Sequence, residues 1–294
     1  MDVMFEQYLE RQNRLDRDPK TIELVGRVLR AFDSHLDALD VRAAEVESWV
    51  VEEYVLGTMR KAAYNTKRSH LSYIGAAYRY ARRRRQVAHD PTEGVQLPRP
   101  PDREPRILSA GELRAIYAAI ESRREEMSFH LLAYAGLRRT EAAKLREEHV
   151  DLSSQTLTVH GKGSKIRKVP IHPALWDVLE RQMEGTPIRP LVRGRGIDHI
   201  NPTWFGLKVA ALAERANIDA SPHDFRRTAA SSLYANGVPE HTIDRIFGWA
   251  PRTVGRKFYL NVADDQLQTA ILRIYRDAPV SNPPKRGGRA VAKS

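Results

Sequence analysis

Apolar residues recur along the first third of the chain at helical spacing. Ile22, Val25, Val28, Leu29, Phe32 and Leu36 fall on one face, and Thr21 just ahead of them reads as an N-cap. Val46, Trp49, Val50 and Tyr54 predict a second helix. A third is predicted with Asn65 or Thr66 as its cap and Leu71, Ile74, Tyr78 and Ala81 turned inward. The pattern then stops at QLPRPPDREPR, residues 96–106, where four prolines and alternating charges forbid a helix and predict an extended linker. Beyond it, Ser109 followed by Glu112 forms a capping-box pattern, and further helices are expected over Phe129–Ala135 and Thr140–Glu147. Residues 156–171, TLTVHGKGSKIRKVPI, change character: β-branched residues alternate around two glycines, which predicts a hairpin. Helical spacing returns from Ala174 to about Arg276. There is no internal repeat.

The expected fold class is therefore mainly α with a small β-hairpin or sheet (α+β), in two domains. Residues 1–95 form an N-terminal helical module, 96–106 a proline-rich linker, 107–278 a larger mixed module, and 279–294 a basic, disordered tail.

Composition narrows the partner. Forty-eight Lys and Arg against thirty-seven acidic residues give a net charge of +11, which favours a polyanion. No apolar run approaches the roughly 18 residues of a membrane span, and the first residues, MDVMFEQYLERQ, lack a secretory apolar core. The expectation is therefore a nucleic-acid partner, DNA or RNA, in the cytoplasm, with no membrane. The third predicted helix supports it: Lys67, Arg68, Arg79, Arg82, Arg83, Arg84 and Arg85 form a one-signed face beside Tyr73, Tyr78 and Tyr80. The chain has no cysteine, and its ten histidines show no HExxH or other metal spacing. That excludes thiol nucleophiles, disulfides and Cys-based zinc sites, and no metal or other cofactor is expected.

Cutting a phosphodiester without a metal needs an in-line nucleophile, cations on the non-bridging oxygens, an acid for the departing 5′-oxygen and a base for the nucleophile's proton. The second module offers candidates for each. Arg138 lies in AGLRRTEAAKL, where a turn at Gly136 can aim it inward. Lys162 sits between glycines in the hairpin turn, with Lys165 as a rival. His223 and Arg226 in PHDFRRT share one helical face, and their spacing selects Arg226 over Arg227. Trp249 follows Gly248, and Tyr259 lies ten positions later. Tyr275 falls in a stripe with Leu267, Ala270, Ile271 and Ile274 that reads as packing. Arg suits a phosphate clamp because its planar fork holds two oxygens and keeps its charge.

This order of elements resembles the tyrosine recombinase (phage integrase) family: Arg in a GLRxxE segment, Lys in a GKGxK hairpin, HxxR, a Gly-His/Trp position, then Tyr. The resemblance covers nearly the whole chain. It implies a site-specific recombinase that needs neither metal nor ATP. Tyr259 would attack the scissile phosphate to give a 3′-phosphotyrosyl link, Arg138 and Arg226 would clamp the phosphate, and Lys162 would protonate the 5′-oxygen. His223 would assist proton transfer, and Glu141 would orient the catalytic groups. Trp249 stands where the family more often has His; its indole donates a hydrogen bond but shuttles no proton. Lys165 and Arg227 join the N-terminal basic residues as expected DNA contacts. The partner would be double-stranded DNA at attachment or recombination sites; the two modules would form a C-shaped clamp around the duplex, and four copies a tetramer on two duplexes. The last stripe, with Asp264 as its cap, would pack either on a neighbouring copy or on its own domain. Two other readings use the same resemblance: a catalytically silent DNA-binding protein, and a type IB topoisomerase-like relaxing enzyme.

Overall fold

The computed structural model describes residues 1–100, 104–161, 165–183, 190–194, 199–249 and 262–275. Two compact units divide at 103/104.

The first unit is helical. Helix α1 (Val3–Arg14) is capped by Asp2, and α2 (Pro19–Leu39) starts at Asp18, whose carboxylate accepts from the Lys20 N–H at 2.8 Å and also from Thr21. Thr21 is thus inside the helix rather than its cap. Pro19 at the first helical position needs no N–H partner and has its φ already set, so Asp-Pro starts the helix earlier than the apolar spacing alone suggests. The short helix α3 (Ser48–Glu52) widens into a π turn over Glu53–Thr58. Val46, Val50 and Tyr54 are buried as expected, but Trp49 is exposed. Val46 reaches the core from extended backbone ahead of the helix, so it does not share a helical face with Trp49.

Helix α4 (Tyr64–Arg83) buries Ile74, Tyr78 and Ala81. Neither Asn65 nor Thr66 caps it: both lie within the first turn, after Ala63. Phe5, Phe32, Tyr54 and Tyr78 meet edge to face, with Phe32–Tyr54 centroids 5.1 Å apart and Phe5–Tyr78 5.8 Å apart. The basic face of α4 is partly neutralised from within. Arg79 pairs with the buried Asp90 at 3.1 Å and Arg82 with Glu93 at 3.2 Å, both on the loop that follows the helix.

The second unit opens with α5 (Ala110–Ala118) and the expected reciprocal cap. Ser109 N–H donates to Glu112 at 2.8 Å, and Glu112 N–H to the Ser109 hydroxyl at 3.2 Å. Helix α6 (Arg123–Ala133) is buried from Met127 to Ala133, and its Phe129 packs edge-on against Phe225 of α10 (Pro222–Ala235). After α7 (Arg139–Lys144) comes a three-stranded antiparallel sheet in the order β1 (Val150–Asp151), β2 (Thr156–His160), β3 (Ile166–Pro170). Leu157 pairs with Val169 and Val159 with Arg167, which puts these four side chains on the inward face. The predicted hairpin is present, with β1 as an added edge.

Helices α8 (Pro173–Met183), α9 (Pro202–Arg215) and α11 (Glu240–Phe247) complete the body. The last helix among the described residues, α12 (Asp264–Ile271), begins after Ala263, so Asp264 is its first helical residue and not its cap. Its apolar stripe packs on its own unit. Leu267, Ala270, Ile271, Ile274 and Tyr275 are buried, Gln268 donates to the Ser154 carbonyl at 3.0 Å, and Tyr275 N–H donates to Ser232 at 2.9 Å.

Candidate active site

Gly136, in the turn between α6 and α7, has φ +58°, and a Cβ there would lie 2.5 Å from the Phe247 ring. Only glycine accepts both the left-handed backbone and this close approach. The turn it makes delivers Arg138 to the start of α7. Arg138 donates from its backbone N–H to Glu141 Oε2 and from Nη1 to Glu141 Oε1, each at 2.8 Å. Its Nη2 reaches the Gly248 carbonyl at 3.2 Å.

Arg226 projects from α10 into the interior and is 2% exposed. It donates to the carbonyls of Gly136 and Phe247. Its guanidinium lies 4.8 Å from the Phe247 ring centre and 5.5 Å from that of Trp249, and its Nη1 is 4.0 Å from Glu141 Oε2. The adjacent Arg227 turns to the surface side of the helix and pairs with Asp224 at 3.3 Å. His223, one turn before Arg226, is exposed. Trp249 packs on Phe247 with ring centres 5.1 Å apart.

Arg138 and Arg226 converge on the C-terminus of α11. The last carbonyls of a helix have no intrahelical donor and carry the negative end of its dipole. Here three successive ones each take an arginine: Ile246 from Arg167 Nε at 2.9 Å, Phe247 from Arg226, and Gly248 from Arg138. Gly248 closes the helix with φ +62°, and Trp249 N–H returns to the Asp244 carbonyl at 2.9 Å.

Arg167 is the residue that sequence reasoning missed. Its Nη1 and Nη2 bind both Glu141 oxygens, at 2.9 and 2.8 Å. The signal was available in the hairpin's alternation. Two positions before the buried Val169, Arg167 must face inward, and an inward guanidinium needs a carboxylate. Lying among Lys162, Lys165 and Lys168, it reads instead as one more surface charge.

Charge balance follows from this network. Burial alone would raise the Glu141 carboxyl, but hydrogen bonds and charge from Arg167, then Arg138, hold it down at about 2. Burial and the Arg138 charge pull Arg226 down to about 9, against the opposing pull of Glu141, so it stays cationic at neutral pH. Burial, then the Arg227 and Arg226 charges, lower His223, which is neutral at pH 7. Three guanidinium groups around one carboxylate leave a net positive centre suited to an anion with several oxygens. Among the described residues no group of three or more His, Asp or Glu could hold a metal ion.

Lys162 and Tyr259 lie outside the described residues. Lys165 is exposed, and its carbonyl accepts the Gly161 N–H at 2.7 Å. The remaining predicted contacts belong to the first unit. Lys67 donates to the Arg60 carbonyl at 3.3 Å, Arg68 and Arg83 are exposed, and Arg84 lies 5.7 Å from the Tyr80 ring centre. Among the described residues no helix is long and apolar enough to cross a membrane.

The mainly helical domain with its small antiparallel sheet thus gathers three arginines around one buried carboxylate at a helix end, a cationic centre of the kind that holds phosphate. Comparison with known proteins gives the family. The phage integrase family model matches residues 106–266, more than half of the chain, and the chain belongs to that family. A tyrosine recombinase of Thermosipho africanus is 24% identical over 283 residues, spanning 92% of this chain and 98% of that protein. Tyrosine recombinase XerD of Pseudomonas aeruginosa is 27% identical over 266 residues, spanning 84% and 88%. A lambda integrase (residues 75–356) dimer bound to a COC′ core site shares the fold with TM-score 0.71 at 13% identity, covering 88% of this chain and 97% of that one. The Tn1549 transposon integrase in complex with circular intermediate DNA does so with TM-score 0.69 at 16% identity, covering 90% and 98%. The chain is accordingly a tyrosine recombinase, an enzyme that breaks and rejoins DNA.

Proposed function

We propose that this chain is a site-specific DNA recombinase that cleaves each strand through a 3′-phosphotyrosyl bond to Tyr259. The observation that carries the reading is the pair Arg138 and Arg226, brought to one helix end with Glu141 between them. In this scheme the phenolic oxygen of Tyr259 attacks the scissile phosphorus, and its proton passes toward His223. Arg138 and Arg226 neutralise the non-bridging oxygens as their charge grows. The bond from phosphorus to the 5′-oxygen breaks, and Lys162 protonates the leaving oxygen. The new phosphotyrosyl ester conserves the energy of the broken one, so a 5′-hydroxyl from another strand reseals it without ATP. The Trp249 indole N–H donates to the phosphate while its ring packs on Phe247.

The first unit, over residues 1–95, serves as the core-binding module, with Lys67, Arg68, Arg83 and Arg84 as phosphate contacts. The linker, 96–106, joins it to the catalytic domain, 107–278. Lys165 and Arg227 add contacts near the reacting strand, and the working assembly is a tetramer on two duplexes.

Capture of covalent adducts tests this. The protein is incubated with sheared DNA from its source, quenched with denaturant, and the protein-linked 3′ ends are sequenced. Adducts should cluster at a few sequences. Adducts spread evenly over the DNA would indicate a relaxing enzyme, and their complete absence would indicate a binding protein alone.

A further inference from the structure

We propose that Arg167 is a positioning residue of the arginine clamp, which it serves by saturating Glu141 and pinning that carboxylate to the end of α11. The inference rests on the reading that Arg138 and Arg226 grip the scissile phosphate.

Glu141 is 2% exposed at its side chain and has Arg138 and Arg226 within 2.8 and 4.0 Å. A buried carboxylate so placed competes with the phosphate for both clamp residues. Arg167 removes that competition. Its fork takes both carboxylate oxygens at 2.9 and 2.8 Å, and its Nε–H fixes the guanidinium to the Ile246 carbonyl at 2.9 Å. The guanidinium is thus held at three points, from a strand whose inward face is buried. The fit extends to Gly248, where a Cβ would stand 2.9 Å from Arg167 Cδ. Arg167 therefore joins three elements that each contribute to the clamp: β3, the Glu141 turn of α7, and the C-terminus of α11. Lysine cannot replace it, because one ammonium does not present two parallel N–H groups and a third at right angles.

The effect is on charge as well as position. With Arg167 present, Glu141 is fully paired and the site keeps net positive charge for the phosphate. Without it, the carboxylate charge falls on Arg138 and Arg226 in a site shielded from water, where it acts strongly.

The test is single-turnover cleavage of a nicked suicide duplex. The duplex carries a sequence recovered by adduct capture and is made with either a phosphodiester or a methylphosphonate at the scissile position. Methylphosphonate lacks the charge on one non-bridging oxygen and so depends less on the clamp. Arg167→Ala should slow phosphodiester cleavage by about 100-fold, the scale of a misplaced reacting group, with DNA affinity within threefold of wild type. The loss should shrink at least tenfold on methylphosphonate, as it should for Arg138→Ala. Adding Glu141→Gln to Arg167→Ala should restore at least tenfold, because the uncompensated charge is gone. If Arg167→Ala melts below assay temperature, Arg167→Lys takes its place and should show the same substrate dependence. Wild-type cleavage by any variant at 167, an equal defect on both substrates, or additive losses in the double variant would overturn the proposal. Failure of the underlying reading is distinguishable, because the wild-type protein would then form no adduct.

Discussion

Arg226 is almost wholly buried, yet it keeps its charge because two carbonyls, two aromatic faces and the nearby Glu141 replace the water it loses. Its neighbour His223 is exposed, and in the proposed scheme it would set the pH response. Its folded pKa lies below the ordinary 6.5, through burial first and then the charges of Arg227 and Arg226. It is therefore neutral at pH 7 and, in the proposed scheme, would accept the proton of Tyr259 there. Cleavage should fall as pH drops through this lowered value, with the acid limb of the rate profile below 6.5. Arg227→Ala removes the second of these causes, so the limb should move upward, toward 6.5. A series of single-turnover rates from pH 5 to 8 measures it; an unmoved limb would remove His223 from the proton path. At this scale much of the site was legible. The HxxR spacing selects Arg226 over Arg227, and the GLRxxE segment carries both Arg138 and Glu141, which the fold brings to Arg226. Arg167 was not legible, because its role depends on the inward register of β3 and on Glu141, which lies 26 positions away in sequence and meets it only through the fold.

The element that organises the site is the C-terminus of α11. Its three carbonyls without intrahelical donors and the left-handed Gly248 determine where the arginines come to rest. Gly248→Ala should cost about 1–2 kcal/mol from the left-handed backbone, beyond which the added Cβ must displace Arg167. Urea denaturation should show that loss, and cleavage should fall further than stability explains. A variant with full activity would mean that the arginines do not depend on this turn. Helix starts show how far an element can be read in advance. The Ser109–Glu112 box is complete within four residues, so sequence suffices. The start of α2 depends on Asp18-Pro19, which precedes the apolar pattern, and reading from that pattern selects Thr21 too late. Trp49 misled for a related reason: the chain enters α3 only at Ser48 and then widens into a π turn, so a single 3.6-residue period does not describe that stretch.

On the scale of the whole molecule, the net charge of +11 is the dominant property. Part of it is committed internally, since Arg79 and Arg82 are paired with Asp90 and Glu93. Arg68, Arg83 and Arg84 have no ion pair among the described residues. DNA affinity should therefore fall steeply with salt, and Arg68→Ala should lower the slope of log affinity against log salt by about one. Arg79→Ala should instead lower the melting temperature, because it leaves the buried Asp90 carboxylate with Thr92 alone and no cationic partner, and leave the slope nearly unchanged. Equal slopes for wild type and Arg68→Ala would place the DNA path elsewhere.

The most direct measurement is the identity of the covalent bond. The trapped adduct, digested with trypsin and nuclease and analysed by mass spectrometry, should carry its nucleotide on peptide 258–273, whose one tyrosine is Tyr259. Tyr259→Phe should yield no adduct. A nucleotide on the neighbouring peptide containing Tyr275, or an adduct that persists in Tyr259→Phe, would contradict the account.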